Sequence, residues 1–193
     1  PDDLSVVLFC KGLIQRLKDD GKNTVHVICD IWENDYPYYK EIEDWDVKFI
    51  YLKMYRFMNP IKDANYILSL YRLFRDEKYD LVFPVTTKPN IYGPIAAYYA
   101  KIKKIICGVW GFGITITRNK TIWQKLVRMI FLSLYKYSFS KCTKVWFTNK
   151  YDANIDWVIE SCGEEKLIVT KNYVNTSDYS IDSIQNESIE ALR

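Results

Sequence analysis

An α/β fold, a Rossmann-like doubly wound parallel sheet, is what this sequence predicts, and three features predict it. From residue 61 onward, segments of helical period alternate with strand-like segments. Those strand-like segments are continuous apolar runs, the pattern of parallel strands buried on both faces. Polar, turn-forming patches follow the runs, and right-handed crossovers then wind helices onto the sheet. The chain has 193 residues, room for one large domain, and its 49% hydrophobic content supplies a core that a disordered chain lacks.

Taken in order, residues 4–18 carry Leu4, Val7, Leu8, Leu13, Ile14 and Leu17 at helical spacing, with Asp2 or Asp3 as cap and Gly21 as the end. A domain of this kind begins with a buried strand. None precedes Leu4, so a first strand outside this sequence is expected. Apolar runs at 24–29 and 47–52 read as strands. Pro60 starts a helix over 61–77, with Ala64, Ile67, Leu68, Tyr71 and Phe74 on one face. Further strands are expected at 80–85, 104–109, 144–148 and 167–170, and helices at 91–102, 121–140 and 151–162, the last ended by Gly163. Pro84 has no N–H to give to a ladder and belongs at a strand exit. Glu41, Glu43, Asp44 and Asp46 read as a solvated acidic run. The domain spans 1–175. The polar stretch 176–193 reads as a linker or tail.

The net charge of +3 is too small for a dedicated nucleic-acid binder, which carries a clustered basic excess. Five cysteines, Cys10, Cys29, Cys107, Cys142 and Cys162, are widely spaced with no CxxC pair. Neither a zinc site nor a disulfide framework is indicated, and free thiols suit a reducing cytosol. No apolar run reaches the roughly 18 residues that span a bilayer.

If the strands are parallel, the loops that follow them share one edge of the sheet. These are Asp30 and Trp32, Thr86 to Asn90, Trp110 to Thr117, Asn149 to Asp152, and Asn172 to Asn175. Amides, hydroxyls, rings and a lysine gathered there suit a sugar: polar groups fix its hydroxyls while rings stack on its apolar faces. In Thr86-Thr-Lys-Pro-Asn-Ile-Tyr-Gly93, Asn90 is placed to cap a helix whose positive end Lys88 flanks, an end that attracts anions such as phosphate. A plain capped helix is the alternative. Gly108-Val-Trp-Gly-Phe-Gly113 lacks the GxGxxG order of a dinucleotide loop, and its glycines allow a tight turn or close approach by a ligand. His26, the one histidine, sits mid-strand and reads as a packing or edge residue. Helix 121–140 is basic, aromatic and amphipathic. Trp123, Lys125 and Arg128 are its candidate membrane-facing residues, against the alternative of a core helix with a solvated basic side.

At residues 86–117 the chain resembles the N-terminal half of bacterial GT-B glycosyltransferases, specifically the family 4 enzymes of capsule and O-antigen polysaccharide synthesis. Lys88-Pro89-Asn90-Ile91-Tyr92-Gly93 precedes Ala96, Ala97 and Ala100, and Gly111-Phe112-Gly113 matches a Gly-Leu-Gly loop. Leu134-Tyr135 lies in a long helix, and Val145, Phe147, Asn149 and Asp152 follow the family's strand pattern. Phe9-Cys10-Lys11-Gly12-Leu13 is similar to its first helix. The resemblance covers about residues 4–179.

This resemblance implies two Rossmann-like domains facing a cleft. The N-terminal one receives the acceptor, often a lipid-linked sugar at the inner face of the plasma membrane, and the C-terminal one binds the nucleotide sugar. Transfer retains the anomeric configuration, with no cofactor and no bound metal. Lys88, Asn90, Tyr92, Gly111, Phe112, Gly113 and Thr115 are the implied acceptor-binding residues, with Asn149 and Asn172 beside them. The catalytic residues stay unassigned. Glu33 and Glu41 share the Glu-x7-Glu spacing of the donor domain but lie too early in the chain to be that motif. The family's glycine-rich loop and histidine have no match, so this chain alone is expected to be inert. Two other readings stay open: a non-catalytic acceptor or membrane-docking subunit of a split enzyme, and a Rossmann-type nucleotide-binding module.

Overall fold

A computed structural model describes residues 1–31, 38–55, 57–112 and 121–171. Helix α1 (Asp3–Asp19) is capped by Asp2, whose carboxylate accepts from Ser5 N at 2.8 Å. It ends where Gly21, at φ +64°, donates its N–H to the Lys18 carbonyl. Strand β1 (His26–Cys29), helix α2 (Tyr38–Glu43) and strand β2 (Lys48–Tyr51) follow. Helix α3 (Pro60–Glu77) begins at an Asn59 cap with Pro60 in its first turn. Then come β3 (Leu81–Val82), α4 (Thr87–Tyr99), β4 (Lys104–Val109), α5 (Ile122–Lys141) and β5 (Lys144–Phe147). Two short helices, α6 (Lys150–Ala153) and α7 (Asp156–Cys162), a 3₁₀ turn (Glu164–Lys166) and β6 (Leu167–Val169) complete the described chain.

Every strand pairing among the described residues is parallel. One sheet is the pair β1-β2, and the other runs β3-β4-β5-β6. The expected Rossmann-like α/β architecture is therefore present. Two cores flank the strands. Tyr66, Leu70 and Phe74 of α3 join Ile91, Ala96 and Ala97 of α4, Tyr135 and Phe139 of α5, and Val145 and Phe147 of β5 in the larger one. Val6, Cys10 and Ile14 of α1 join Val27, Cys29 and Ile42 in the smaller one. Val27 and Cys29 enter the smaller core while Ile28 packs against the larger. Alternate residues of a strand point to opposite faces, so α1 and α3 lie on opposite faces.

The structure departs from the sequence expectations in four places. Helix α4 starts at Thr87, so Asn90 stands inside its first turns and Thr86 takes the cap position without a side-chain bond. Pro89 is tolerated there because the early N–H groups of a helix have no partner to lose. Pro94 lacks the N–H that would bond the Asn90 carbonyl, and the Cys107 thiol donates to that carbonyl instead, at 3.6 Å. Strand β3 is short: pairing lapses after Val82 and resumes at a single Val85–Gly108 bridge past Pro84. The helix expected over 151–162 is broken at Asn154–Ile155. Finally, part of the acidic run is helical: Ile42 of α2 is fully buried and Glu41 pairs with Lys11 at 2.8 Å, leaving Glu43, Asp44 and Asp46 in solvent.

Candidate functional site at the carboxyl ends of the strands

Because the strands are parallel, their exits meet on one edge. Asp30 leaves β1, Thr86 follows β3, Trp110 leaves β4 and Asn149 follows β5. Asp30 binds two of these connections together, accepting from Ile31 N at 3.0 Å and from Met54 N, beyond β2, at 2.8 Å. Phe9 of α1 reaches across to Trp110, with ring centroids 5.2 Å apart.

Lys88 does not face an open crevice. It is 6% exposed, and its Nζ donates to Asp63 Oδ1 at 2.6 Å and to the Phe57 carbonyl at 2.8 Å. The Tyr92 hydroxyl donates to Asp63 Oδ2 at 3.1 Å, and that oxygen also accepts from Asn59 N. Burial, with the Asp63 carboxylate adding to it, pushes the Tyr92 hydroxyl up from its usual pKa. The lysine and tyrosine of the motif therefore clamp the start of α4 to the start of α3. Asp63, the centre of the clamp, was not singled out by sequence reading. Its signal is the Asn59-Pro-x-x-Asp63 spacing, which returns a carboxylate to the cap N–H.

Asn90 makes a second tie, with Nδ2 donating to the Gly108 carbonyl at 2.8 Å. Its Oδ1 is buried without a hydrogen-bond partner. Gly108 is needed where it stands, since a Cβ would lie 2.9 Å from the Phe83 ring. Between these ties Thr86 adopts φ 68°, ψ 168°, a region that side-chain-bearing residues rarely occupy.

The β4 exit divides into an exposed Gly111, at φ +139°, and a buried Phe112. The Phe112 ring lies 4.9 Å from Trp157 and 5.5 Å from Tyr135, so it anchors the loop in the larger core. Asn149 caps α6, accepting from Asp152 N at 2.8 Å and donating to its carboxylate at 3.0 Å. Gly113, Thr115 and Asn172 lie outside the described residues, as does the Trp123 side chain. Lys125 is exposed on α5 and Arg128 half-buried. Ile122, Leu126, Met129 and Ile130 are exposed on the same helix. Among the described residues no helix is long and apolar enough to cross a membrane, and no cluster of potential metal ligands is present.

The model of one protein family, described as glycosyl transferase 4-like, matches residues 4–149. The N,N'-diacetylbacillosaminyl-diphospho-undecaprenol alpha-1,3-N-acetylgalactosaminyltransferase of Campylobacter jejuni is 29% identical over 171 residues, 87% of this chain and 43% of that protein. The UDP-Gal:alpha-D-GlcNAc-diphosphoundecaprenol alpha-1,3-galactosyltransferase of Escherichia coli is 37% identical over 67 residues, 35% of this chain and 17% of that protein. The chain thus spans less than half the length of either relative. Among solved structures, Anabaena Alr3699/HepE, in complex with UDP and glucose, superposes with a TM-score of 0.59 over 94% of this chain and 44% of that one, at 15% identity, a likeness of fold. The match over most of its length places the chain in the glycosyl transferase 4-like family.

Proposed function

We propose that this chain is the acceptor-side domain of a retaining glycosyltransferase that extends a lipid-linked sugar at the inner face of the plasma membrane, in surface polysaccharide synthesis. The observation that carries this reading is the alignment of 87% of the chain with a transferase whose name specifies a diphospho-undecaprenol acceptor. The parallel strand exits support it, because open α/β sheets bind ligands outside the carboxyl ends of their strands. Trp110 and Gly111 at the β4 exit present a ring and a side-chain-free backbone to such a ligand, while the Lys88–Asp63–Tyr92 clamp holds the neighbouring loop in place. Exposed Ile122, Leu126, Met129 and Ile130 beside Lys125 would rest on the anionic lipid that carries the acceptor.

In the proposed reaction, an acceptor hydroxyl oxygen bonds to the anomeric carbon of the donor sugar. The bond from that carbon to the nucleotide diphosphate breaks, and the hydroxyl proton passes to the departing phosphate on the same face. The nucleotide sugar is held chiefly by a further domain, and no metal or other cofactor is needed.

The test is to incubate the full-length protein with an undecaprenyl-diphosphate-linked sugar and a panel of UDP-sugars. Mass spectrometry is expected to show the lipid gaining one sugar, with NMR showing the donor's anomeric configuration retained. This chain alone is expected to show no transfer. Transfer only to soluble glycans would sink the lipid-linked reading, and inversion would sink the retaining one.

A further inference from the structure

Helix α3 is apolar on two sides. Tyr66, Leu70 and Phe74 enter the larger core. Ala64, Ile67, Leu68 and Tyr71, at the three- and four-residue spacing of a single stripe, turn toward α4 and line a groove of about 470 Å³ on the outer surface. Ala96 and Tyr99 of α4 complete it. Ala96 is 1% exposed and lies at the floor, while Leu68 and Tyr99, 43% and 57% exposed, stand up as walls. The Tyr99 hydroxyl shares a hydrogen bond with that of Tyr137 on α5 at 3.0 Å, which holds the ring in place. A surface helix needs one apolar stripe to pack on its core, and this second one packs on nothing within the groove.

The rim of the groove is basic. Arg72 stands one turn beyond Leu68 and is exposed. The Arg75 guanidinium lies over the Tyr71 ring at 5.8 Å. Lys101, just past the end of α4, is exposed, and Lys141 of α5 lies over the rings of Tyr98 and Tyr137 at 4.6 and 4.8 Å. Neither α4 nor α5 contains an aspartate or a glutamate. The acids of α3 are already committed: Asp63 to Lys88, Asp76 to Arg75 and Glu77 to Lys48. A cation in the last turn of a helix suits the helix dipole, which accounts for Arg75 and Lys141. It does not account for the apolar stripe that they border.

We propose that the α3–α4 groove docks an amphipathic helix of an acidic partner protein, with an apolar ridge in the groove and carboxylates on Arg72, Arg75, Lys101 and Lys141. Ala64 to Tyr71 spans about 10 Å at 1.5 Å per residue, the reach of anchors at i, i+4 and i+7 on an incoming helix. Tyrosine and arginine, the residues that border the groove, are those in which interface cores are enriched. A second copy of this chain would set the same cations against one another, which opposes association. A bilayer surface is flat, and it would meet Leu68 and Tyr99 without reaching the floor at Ala96. The groove runs along the sides of the helices, with Ala96 about 14 Å from the start of α4. An occupant therefore leaves the strand exits open, and the assignment holds whether or not the protein transfers a sugar.

The test selects helices on the full-length protein from a phage-displayed library of amphipathic sequences about fourteen residues long, with Leu68→Glu as the counter-selection target. Leu68 is exposed, so this variant is expected to melt with the wild type. Recovered sequences are expected to carry apolar residues at i, i+4 and i+7 and aspartate or glutamate on the flanks. In fluorescence anisotropy, one such peptide is expected to bind about tenfold more weakly to Leu68→Glu and to the pair Arg72→Glu with Lys101→Glu, and to weaken as salt rises. Recovered helices with neutral or basic flanks, helices that Leu68→Glu retains, or no recovered helix at all would overturn the proposal. So would flotation on phosphatidylglycerol vesicles that Leu68→Glu abolishes, which marks a lipid face. A dimer in sedimentation that the same variant splits would overturn it too, marking a second copy as the occupant.

Discussion

The two cores on either side of the strands are built differently. The larger is an aromatic interlock. Tyr135, Phe139 and Phe147 are fully buried, Phe139 stacks on Trp157 with an interplanar angle of 12°, and Phe112 packs among all four. The buried residues of the smaller are valine, isoleucine and cysteine, with Trp45, Phe49, Phe83 and Trp110 packed against them from partly exposed positions, and its Val6, Cys10 and Ile14 line a cavity between the sheets. The rings of α5, β5 and α7 in mutual contact hold the loops they belong to, while Tyr66, Leu70 and Phe74 at the α3 end of this core line the far wall of the cavity. Small aliphatic groups on a cavity wall lose contacts on the side that faces it. The difference teaches where the fold supplies its rigidity: it lies beneath the β3, β4 and β5 exits, where the acceptor is proposed to bind.

Alanine substitution breaks the comparison most directly. Phe139→Ala is expected to cost about 4 kcal/mol, because neighbouring rings cannot collapse into the space. Ile14→Ala is expected to cost about 2 kcal/mol, at the low end for its type, since part of its surroundings is already void. Chemical denaturation of both variants checks the ranking, and equal costs would contradict it. Next comes the clamp. Lys88→Met leaves the Asp63 carboxylate buried without its cation and is expected to cost about 3 kcal/mol. Pairing it with Asp63→Leu is expected to recover much of that loss, because two apolar groups need no partner. A double-mutant cycle read by thermal melting separates this from simple loss of packing.

Much of the fold is legible in the sequence. The boundaries of β4 coincide with the apolar run 104–109, and α1, α3 and α5 with their helical periods. What escapes is decided by contacts between segments distant in the chain. Asn90 looks like a cap because it stands just before the helical stretch 91–102, yet the helix starts earlier and the amide is recruited by Gly108. Lys88 looks like an anion-seeking flank, but Asp63, twenty-five positions upstream, takes its charge. Phe112 looks like a stacking platform within a glycine loop, and the ring turns inward because four aromatic neighbours await it. Motif spacing names a location in the fold, while the division of labour there depends on three-dimensional partners.

Thr86 gives a smaller, opposite effect. Its backbone conformation favours glycine and costs about 1–3 kcal/mol in a threonine. Thr86→Gly is therefore expected to raise stability by about 1 kcal/mol after the entropy that glycine adds to the unfolded chain. A melting temperature that falls instead would mean that the threonine side chain makes a compensating contact.

The thiols sharpen the comparison with the least disturbance. Cys10 and Cys29 of the smaller core are pushed up to about 12 by burial, and Cys162 of the larger to about 11. Their unfolded reference is 9.0, so the protonated thiols favour the native state fully below that pH. The advantage is lost as pH rises from 9 toward 12, because the unfolded chain ionises first. Burial keeps the native Cys10 and Cys29 thiols protonated at pH 8, and alkylation is expected to follow opening of the structure rather than direct attack. Peptide-resolved mass spectrometry should then show Cys10, which lines the cavity between the sheets, labelled well before the completely buried Cys107 behind the aromatic interlock. Simultaneous labelling would mean that both cores open as one unit.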